Sequence, residues 1–263
     1  MELSAAMPHK SILEENKSYW TNRAKGYCAI NRAELSTSQK EKWNRFLRRE
    51  LNLHFADKTP LSVLEVGTGP GFFAILLAEA GFFVTAVDLT PAMLAEAREN
   101  AEISGVSDRI SFREMNAENL LFPDETFDVV ISRNLTWDLP HPEIAYREWL
   151  RVLKKDGLLL NFDANWYHYL FFEDARTAYE NDRENSRLAG ISDRNVGKDF
   201  NIMEDIARRV PLSKIERPAW DIAVLTSLGI SAHADETVWQ ELWSDADKIS
   251  CSSTPMFLLR GVK

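Results

Sequence analysis

A chain of 263 residues, 45% apolar and 27% charged, suffices for one α/β domain with a sizeable core. Its net charge of −9 runs against nucleic-acid binding, which needs clustered Lys and Arg to displace phosphate counterions, and no apolar run approaches the ~20 residues that span a bilayer. Cys28 and Cys251 make neither a disulfide framework nor a metal-ligand spacing, and residues 1–10 lack a secretory pattern. The expectation is a cytoplasmic protein with no metal, no nucleic-acid partner and no membrane association.

Residues 11–30 read as a helix on which Tyr19, Arg23 and Tyr27 share a face at four-residue spacing. A second helix begins at Ser38, with Glu41 in capping-box register, and turns Trp43, Phe46, Leu47 and Leu51 inward on one stripe. Residues 52–60 form a polar connector. The pattern then alternates. Residues 61–66 read as a buried strand, 72–80 as a helix ending at Gly81, and 83–89 as a second strand. Thr90 and Pro91 supply the N-cap and first-turn proline of a helix through 103. Strands follow at 109–114 and 127–132, a helix opened by Pro142 runs to 153, and a fifth strand occupies 157–163. Strands alternating with helices of this length imply a parallel sheet with right-handed crossovers.

After Asp163 the rhythm breaks for roughly 50 residues, long enough to be functional rather than a mere connector. The segment starts aromatic, with Trp166, Tyr167 and Tyr169, and its Ile202, Met203 and Ile206 at helical spacing favour an ordered lid. Arg217-Pro218-Ala219-Trp220-Asp221 reads as the lid's anchor. A helix over 220–228 and weak strands near 231–233 and 255–262 complete the expected fold: an α/β, doubly wound, mostly parallel seven-stranded Rossmann-like sheet with N-terminal helices and a helical lid insertion. Within this single domain, residues 1–55 form an N-terminal helical cap, 61–163 the cofactor-binding core, 164–218 the lid and 219–263 the end of the core.

The strongest chemical signal is a strand running directly into Gly67-Thr68-Gly69-Pro70-Gly71 and then a helix. Glycines admit positive φ and let a ligand approach without Cβ interference. Asp88 ends the next strand about 20 residues after Gly67, the spacing that sets a carboxylate against ribose hydroxyls. A dinucleotide fingerprint would require a small third residue where Phe72 stands. The pattern here is G-x-G-x-G with Glu65 two residues ahead, suited to an adenosine cofactor that carries an ammonium instead of a pyrophosphate.

Several blocks in order resemble the class I, seven-β-strand S-adenosylmethionine-dependent methyltransferases, in particular the small-molecule branch related to quinone-biosynthesis enzymes. They are Val63-Leu64-Glu65-Val66-Gly67-Thr68-Gly69-Pro70-Gly71, Val87-Asp88 with Met93-Leu94, Asn116-Ala117-Glu118 with Phe122-Pro123, Phe127-Asp128-Val129-Val130, and Glu148-Trp149-Leu150-Arg151-Val152-Leu153-Lys154. The resemblance implies that Glu65 and the Gly67 and Gly69 backbone hold the methionine end of S-adenosyl-L-methionine. It implies further that Asp88 takes the ribose, Leu89 packs on the adenine, and Asn116 and Ala117 read the adenine edge. Thr68, Gly71, Met93 and Glu118 belong to the same blocks. Asn116 stands for the family's usual aspartate but retains an acceptor oxygen, and Lys155-Asp156-Gly157 replaces a P-G-G turn. The first helix resembles the family's leading helix, which brings Tyr19, Arg23 and Tyr27 over the cofactor, Arg23 as partner for the methionine carboxylate.

Methyl transfer from a sulfonium demands alignment and exclusion of water more than a fixed catalytic motif. After the fourth strand, Arg133 and Asn134 are candidate cofactor contacts. Trp137, Trp166 and Tyr167 either line an acceptor pocket or cover the sheet end, and His168 and Asp163 are the nearest candidate bases. The acceptor is expected to be a small molecule and the protein a monomer or homodimer. The competing readings are an NAD-type Rossmann oxidoreductase and a protein that uses S-adenosylmethionine for another purpose.

Overall fold

The computed structural model describes residues 10–56, 60–192 and 198–263; residues 1–9, 57–59 and 193–197, which fall in the expected cap, connector and lid, lie outside the described residues. The chain opens with α1 (Ile12–Leu35) and α2 (Ser38–Phe55). β1 (Ser62–Val66), α3 (Phe72–Glu79), β2 (Phe83–Asp88), α4 (Pro91–Ile103), β3 (Ile110–Glu114), β4 (Phe127–Arg133), α5 (Pro142–Val152) and β5 (Leu153–Asp163) follow. The lid holds α6 (Glu173–Leu188) and α7 (Lys198–Ala207). The chain then closes with α8 (Ala219–Ser227), β6 (Ser231–Asp235), α9 (Val238–Leu242), α10 (Asp245–Ser250) and β7 (Phe257–Val262).

The seven strands lie in the order β3-β2-β1-β4-β5-β7-β6, all parallel except β7, which runs antiparallel to both neighbours. The order reverses between β1 and β4, so the carboxyl ends of these strands open a crevice at the topological switch point, where ligands of such sheets bind. One apolar layer joins the α2 stripe of Trp43, Phe46, Leu47 and Leu51 to α3 and one sheet face; a second joins α5 and α8 to the other face. Each of those four α2 side chains is at most 2% exposed and gains about 1.5–3 kcal/mol from leaving water.

Three local expectations need correction. The N-cap of α2 is Thr37, whose side chain accepts from Gln39 N, so Ser38 already lies inside the helix and makes no capping box with Glu41. Thr90 caps α4 by position only, because its hydroxyl makes no cap bond and the Pro91 ring carries the first turn. β5 begins at Leu153, not 157. Asp156 takes φ 59°, and Lys154 pairs with buried Asp128 at 2.9 Å, so the Lys-Asp-Gly segment is a kink within the strand.

The lid is fastened to the core by a buried polar network. Arg217 Nη1 donates to Asp163 at 2.7 Å, and Arg217 Nε and Nη2 donate to Asp221 at 2.9 and 2.8 Å. Tyr146 donates to Asp221, while Asn161 donates to Tyr146 and to Thr136. The guanidinium and both carboxylates are fully buried. Met203, Ile206 and Val210 of the lid pack with Trp137 and against Tyr19 and Trp20 of α1.

Candidate functional site

The glycine loop leaves β1 at Val66 and is tied to β2. Gly67 N and Thr68 N both donate to Val87 O, and Gly69 N donates to Asp88 Oδ2 at 2.9 Å. Gly67 and Gly69 have φ of 72° and 52°, and a Cβ on Gly67 would sit 2.7 Å from a Leu135 methyl. Glycine is therefore required there twice over, by backbone and by space. The other oxygen of Asp88 accepts from Thr90 N at 2.8 Å, which fixes the carboxylate at the rim of the crevice.

A narrow cavity opens over this loop. Gly67, Gly69, Asp88, Leu89, Met93, Asn116, Ala117, Arg133 and Asn134 line it below, and Trp20 and Tyr27 of α1 cover it. Glu65, Thr68, Gly71 and Glu118 do not line it. Glu65 Oε2 accepts from Thr68 Oγ1 at 2.6 Å and from Ala74 N at 2.9 Å, so this carboxyl shapes the loop and satisfies the start of α3. Burial, opposed by those two hydrogen bonds, pushes its pKa up to about 8. Gly71 packs on Ala97, and Glu118 accepts from His141 N at 2.7 Å.

A second cavity of about 890 Å3 lies between α1, the start of α2, the lid and the α10 segment. Trp137, Trp166 and Tyr167 line it, as do Tyr19 and Arg23, which take no part in the narrow cavity. Trp20, Tyr27, Arg133 and Asn134 line both, so the two cavities meet at these residues. Arg133 Nη2 is held by Glu34 at 2.9 Å, and its guanidinium lies over the rings of Trp43 and Phe72.

Both candidate bases are placed elsewhere, which corrects the expectation. Asp163 accepts from Arg217, Trp137 N and Ala164 N with no exposed surface, so its oxygens are committed to the lid network. His168 is 7% exposed, with Nε2 against Ile215 O at 2.9 Å and its ring beside Phe172. Neither side chain lines either cavity, and no histidine does among the described residues.

Sequence reasoning missed the groups that fasten the cover. Asn16 Nδ2 donates to the Asp138 carbonyl at 2.8 Å and Trp20 Nε1 to Asp138 Oδ2 at 2.7 Å. Asn16, Trp20 and Asp138 all line the narrow cavity. The available signal was the i, i+4 pair Asn16 and Trp20, which shares a stripe of α1 with Ala24 and Tyr27. Burial raises the Asp138 pKa to about 7, against the lowering effect of its hydrogen bonds from Trp20 and Asn16.

The chemistry of the narrow cavity fits a zwitterionic nucleoside. Arg133 Nη1, Asn134 Oδ1 and Asp138 Oδ1 are buried with no hydrogen-bond partner in the protein, which provides one donor and two acceptors for a ligand with carboxylate, ammonium and hydroxyl groups. Asp88 suits a diol. Among the described residues no group of three or more metal-ligating side chains occurs, and no helix is long and apolar enough to cross a membrane.

Comparison with known proteins agrees with this geometry. Residues 64–161 match the family model described as a methyltransferase domain. A phosphatidylethanolamine N-methyltransferase of Cereibacter sphaeroides is 42% identical over 36% of this chain and 46% of its own length. The ubiquinone/menaquinone biosynthesis C-methyltransferase UbiE of a Bradyrhizobium species is 36% identical over 45% of this chain and 47% of its own. The chain thus spans about half the length of the curated relatives it matches. Among solved structures, a SAM-dependent methyltransferase from Aquifex aeolicus superposes over 89% of this chain and 97% of its own, with a TM-score of 0.56 and 17% identity. The Haemonchus contortus phosphoethanolamine N-methyltransferase 2 bound to S-adenosyl-L-methionine covers 84% of this chain and 52% of its own, with a TM-score of 0.55 and 17% identity. At such identities the likeness is one of fold.

Proposed function

We propose that this chain, whose residues 64–161 match the methyltransferase-domain model, moves a methyl group from S-adenosylmethionine to a small-molecule acceptor. The observation that carries this reading is the meeting of two cavities, one built for a nucleoside and one aromatic, at Trp20, Tyr27, Arg133 and Asn134. The names of the relatives, one acting on a lipid amine and one in quinone biosynthesis, agree on methyl transfer and differ in acceptor.

In this reading the backbone of Gly67 and Gly69, with Asn134 and Arg133, holds the methionine end of the cofactor. Asp88 takes the ribose diol, Leu89 and Met93 pack on the adenine, and Asn116 and Ala117 meet its edge. When bound, S-adenosylmethionine supplies an activated methyl group on a positively charged sulfur. Tyr27 and Trp20 sit at the junction, where their ring faces favour a nearby cation. The fastened α1 and the lid exclude water and align the acceptor, and good alignment is worth ~7–11 kcal/mol of barrier. With no histidine lining either cavity among the described residues, the acceptor arrives already in its reactive form. The reduced cysteines and acidic surface suit a cytoplasmic enzyme, acting as monomer or homodimer.

A dinucleotide reading is disfavoured by Phe72 at the position that needs a small residue. Asp88→Ala tests the site. Calorimetry with S-adenosylhomocysteine is expected to show affinity lowered at least tenfold, with unchanged far-ultraviolet circular dichroism. Unaltered affinity contradicts the ribose role.

A further inference from the structure

Among the described residues, the charged side chains lining the narrow cavity are Lys17, Asp88, Arg133 and Asp138. Lys17 is paired with Glu114, Arg133 with Glu34, and Asp88 accepts from Gly69 N and Thr90 N. Asp138 stands apart. One of its oxygens accepts from the Trp20 indole, the other is buried without a partner, and the charge acting on it is the like charge of Asp163. The cations on the surrounding elements are engaged elsewhere: Arg217 with Asp163 and Asp221, Arg209 with Glu15, and Lys214 over the Phe171 ring. Arg23 lines the larger cavity, and the nearby Tyr167 is a neutral phenol whose pKa burial raises well above the ordinary value.

The methyl donor brings one charge that the other lining groups do not answer. In the reading above, Arg133 Nη1 takes its carboxylate, Asn134 Oδ1 its ammonium, Asp88 its diol, and Asn116 and Ala117 its adenine edge. The sulfonium is left. Its sulfur joins the ribose to the methionine chain and must turn its methyl toward the larger cavity, so it belongs at the junction. Asp138 holds, at 2.7 Å, the Trp20 indole that lines both cavities. A sulfonium donates no ordinary hydrogen bond, and its attraction to a carboxylate is Coulombic, strongest where water is excluded. An ionised carboxylate on the indole N–H also makes the ring face more negative, which strengthens its hold on a cation.

We infer, resting on the methyl-transfer reading above, that Asp138 recognises the sulfonium and so distinguishes the methyl donor from its spent form. As the methyl leaves, the C–S bonding pair stays on sulfur and a lone pair of the acceptor forms the new bond. The sulfur becomes a neutral thioether, and its attraction to Asp138 ends. The spent cofactor is therefore held less tightly than the donor, which favours exchange. Burial raises the Asp138 pKa to about 7. Binding of the cation favours the ionised carboxylate, so donor affinity falls as pH drops below that value, while the affinity for the thioether does not follow.

The test is calorimetry without acceptor, at pH 5.5 and 7.5, using S-adenosylmethionine and S-adenosylhomocysteine, which differ by one methyl group and one positive charge. In the unaltered protein S-adenosylmethionine is expected to bind at least fivefold tighter at pH 7.5 than at pH 5.5, with S-adenosylhomocysteine unchanged within twofold. Asp138→Asn keeps an acceptor for Trp20. In this variant S-adenosylmethionine affinity at pH 7.5 is expected to fall at least fivefold and to lose its pH dependence, with S-adenosylhomocysteine within threefold of the parent. Equal pH dependence of the two ligands in the unaltered protein, no pH dependence of either, or an equal loss of both in Asp138→Asn overturns the inference, and the first two outcomes need no variant. Failure of the unaltered protein to bind S-adenosylhomocysteine at either pH overturns the underlying methyl-transfer reading instead.

Discussion

At Asp138 the chain buries a carboxyl group to 5% exposure, gives one oxygen to the Trp20 indole and leaves the other without a partner beside the narrow cavity. Its pKa stands at about 7, raised chiefly by burial. Between roughly pH 4 and 7 the folded chain therefore keeps a proton that the unfolded chain has lost. Stability is highest at the acid end of that window and falls as pH rises through it. Glu65, raised to about 8, adds to the same trend. Asp138→Asn removes the ionisation while retaining an acceptor for Trp20. In denaturant unfolding of the ligand-free protein, the variant is expected to lose less stability than the parent between pH 4.5 and 7.5, by roughly 2–4 kcal/mol. Identical slopes contradict the burial argument. At this scale the sequence was only partly legible. Asp163 and His168 had the right residue type near a strand end, but the Arg217 guanidinium and Ile215 carbonyl that occupy them lie 54 and 47 residues away. Residue type and position along a strand do not disclose a partner so distant in the chain.

Two elements turn the generic sheet into a closed site. α1 lies across the narrow cavity, docked by Asn16 and Trp20 on Asp138, by Lys17 on Glu114 and by Arg32 on Asn100. The lid is anchored through Arg217, whose guanidinium meets two buried carboxylates. Replacing a buried ion pair with apolar groups can be neutral, but removing one partner strands the others. Arg217→Ala is thus expected to cost about 3–5 kcal/mol in denaturant unfolding. A loss under ~1 kcal/mol contradicts the claim that this network holds the lid. Helices and buried strands were legible because hydrophobic period, first-turn prolines and terminal glycines are local properties: the α2 stripe, Pro91, Pro142 and the glycine-ended helices all lie where their sequence implies. Boundaries decided by tertiary contacts were not. The start of β5 depends on Lys154 meeting Asp128, and the working face of α1 depends on Asp138 across the crevice.

Over the whole molecule, the parallel sheet places the glycine loop and Asp88 at its switch point, while the N-terminal helices and the lid build the second cavity above it. The first half of this design is written in contiguous motifs, so its cofactor class could be read from sequence. The second draws on α1, α2, α6, α7 and the α10 segment, whose surfaces come together only in the fold. The central claim is that the narrow cavity receives an S-adenosyl nucleoside and that its junction with the aromatic cavity is where methyl transfer occurs. Isothermal titration of the purified protein with S-adenosylhomocysteine, and separately with NAD, tests this most directly. Saturable one-to-one binding of S-adenosylhomocysteine in the micromolar range with no measurable binding of NAD is the expected result. Absence of S-adenosylhomocysteine binding, or clear binding of NAD, contradicts it.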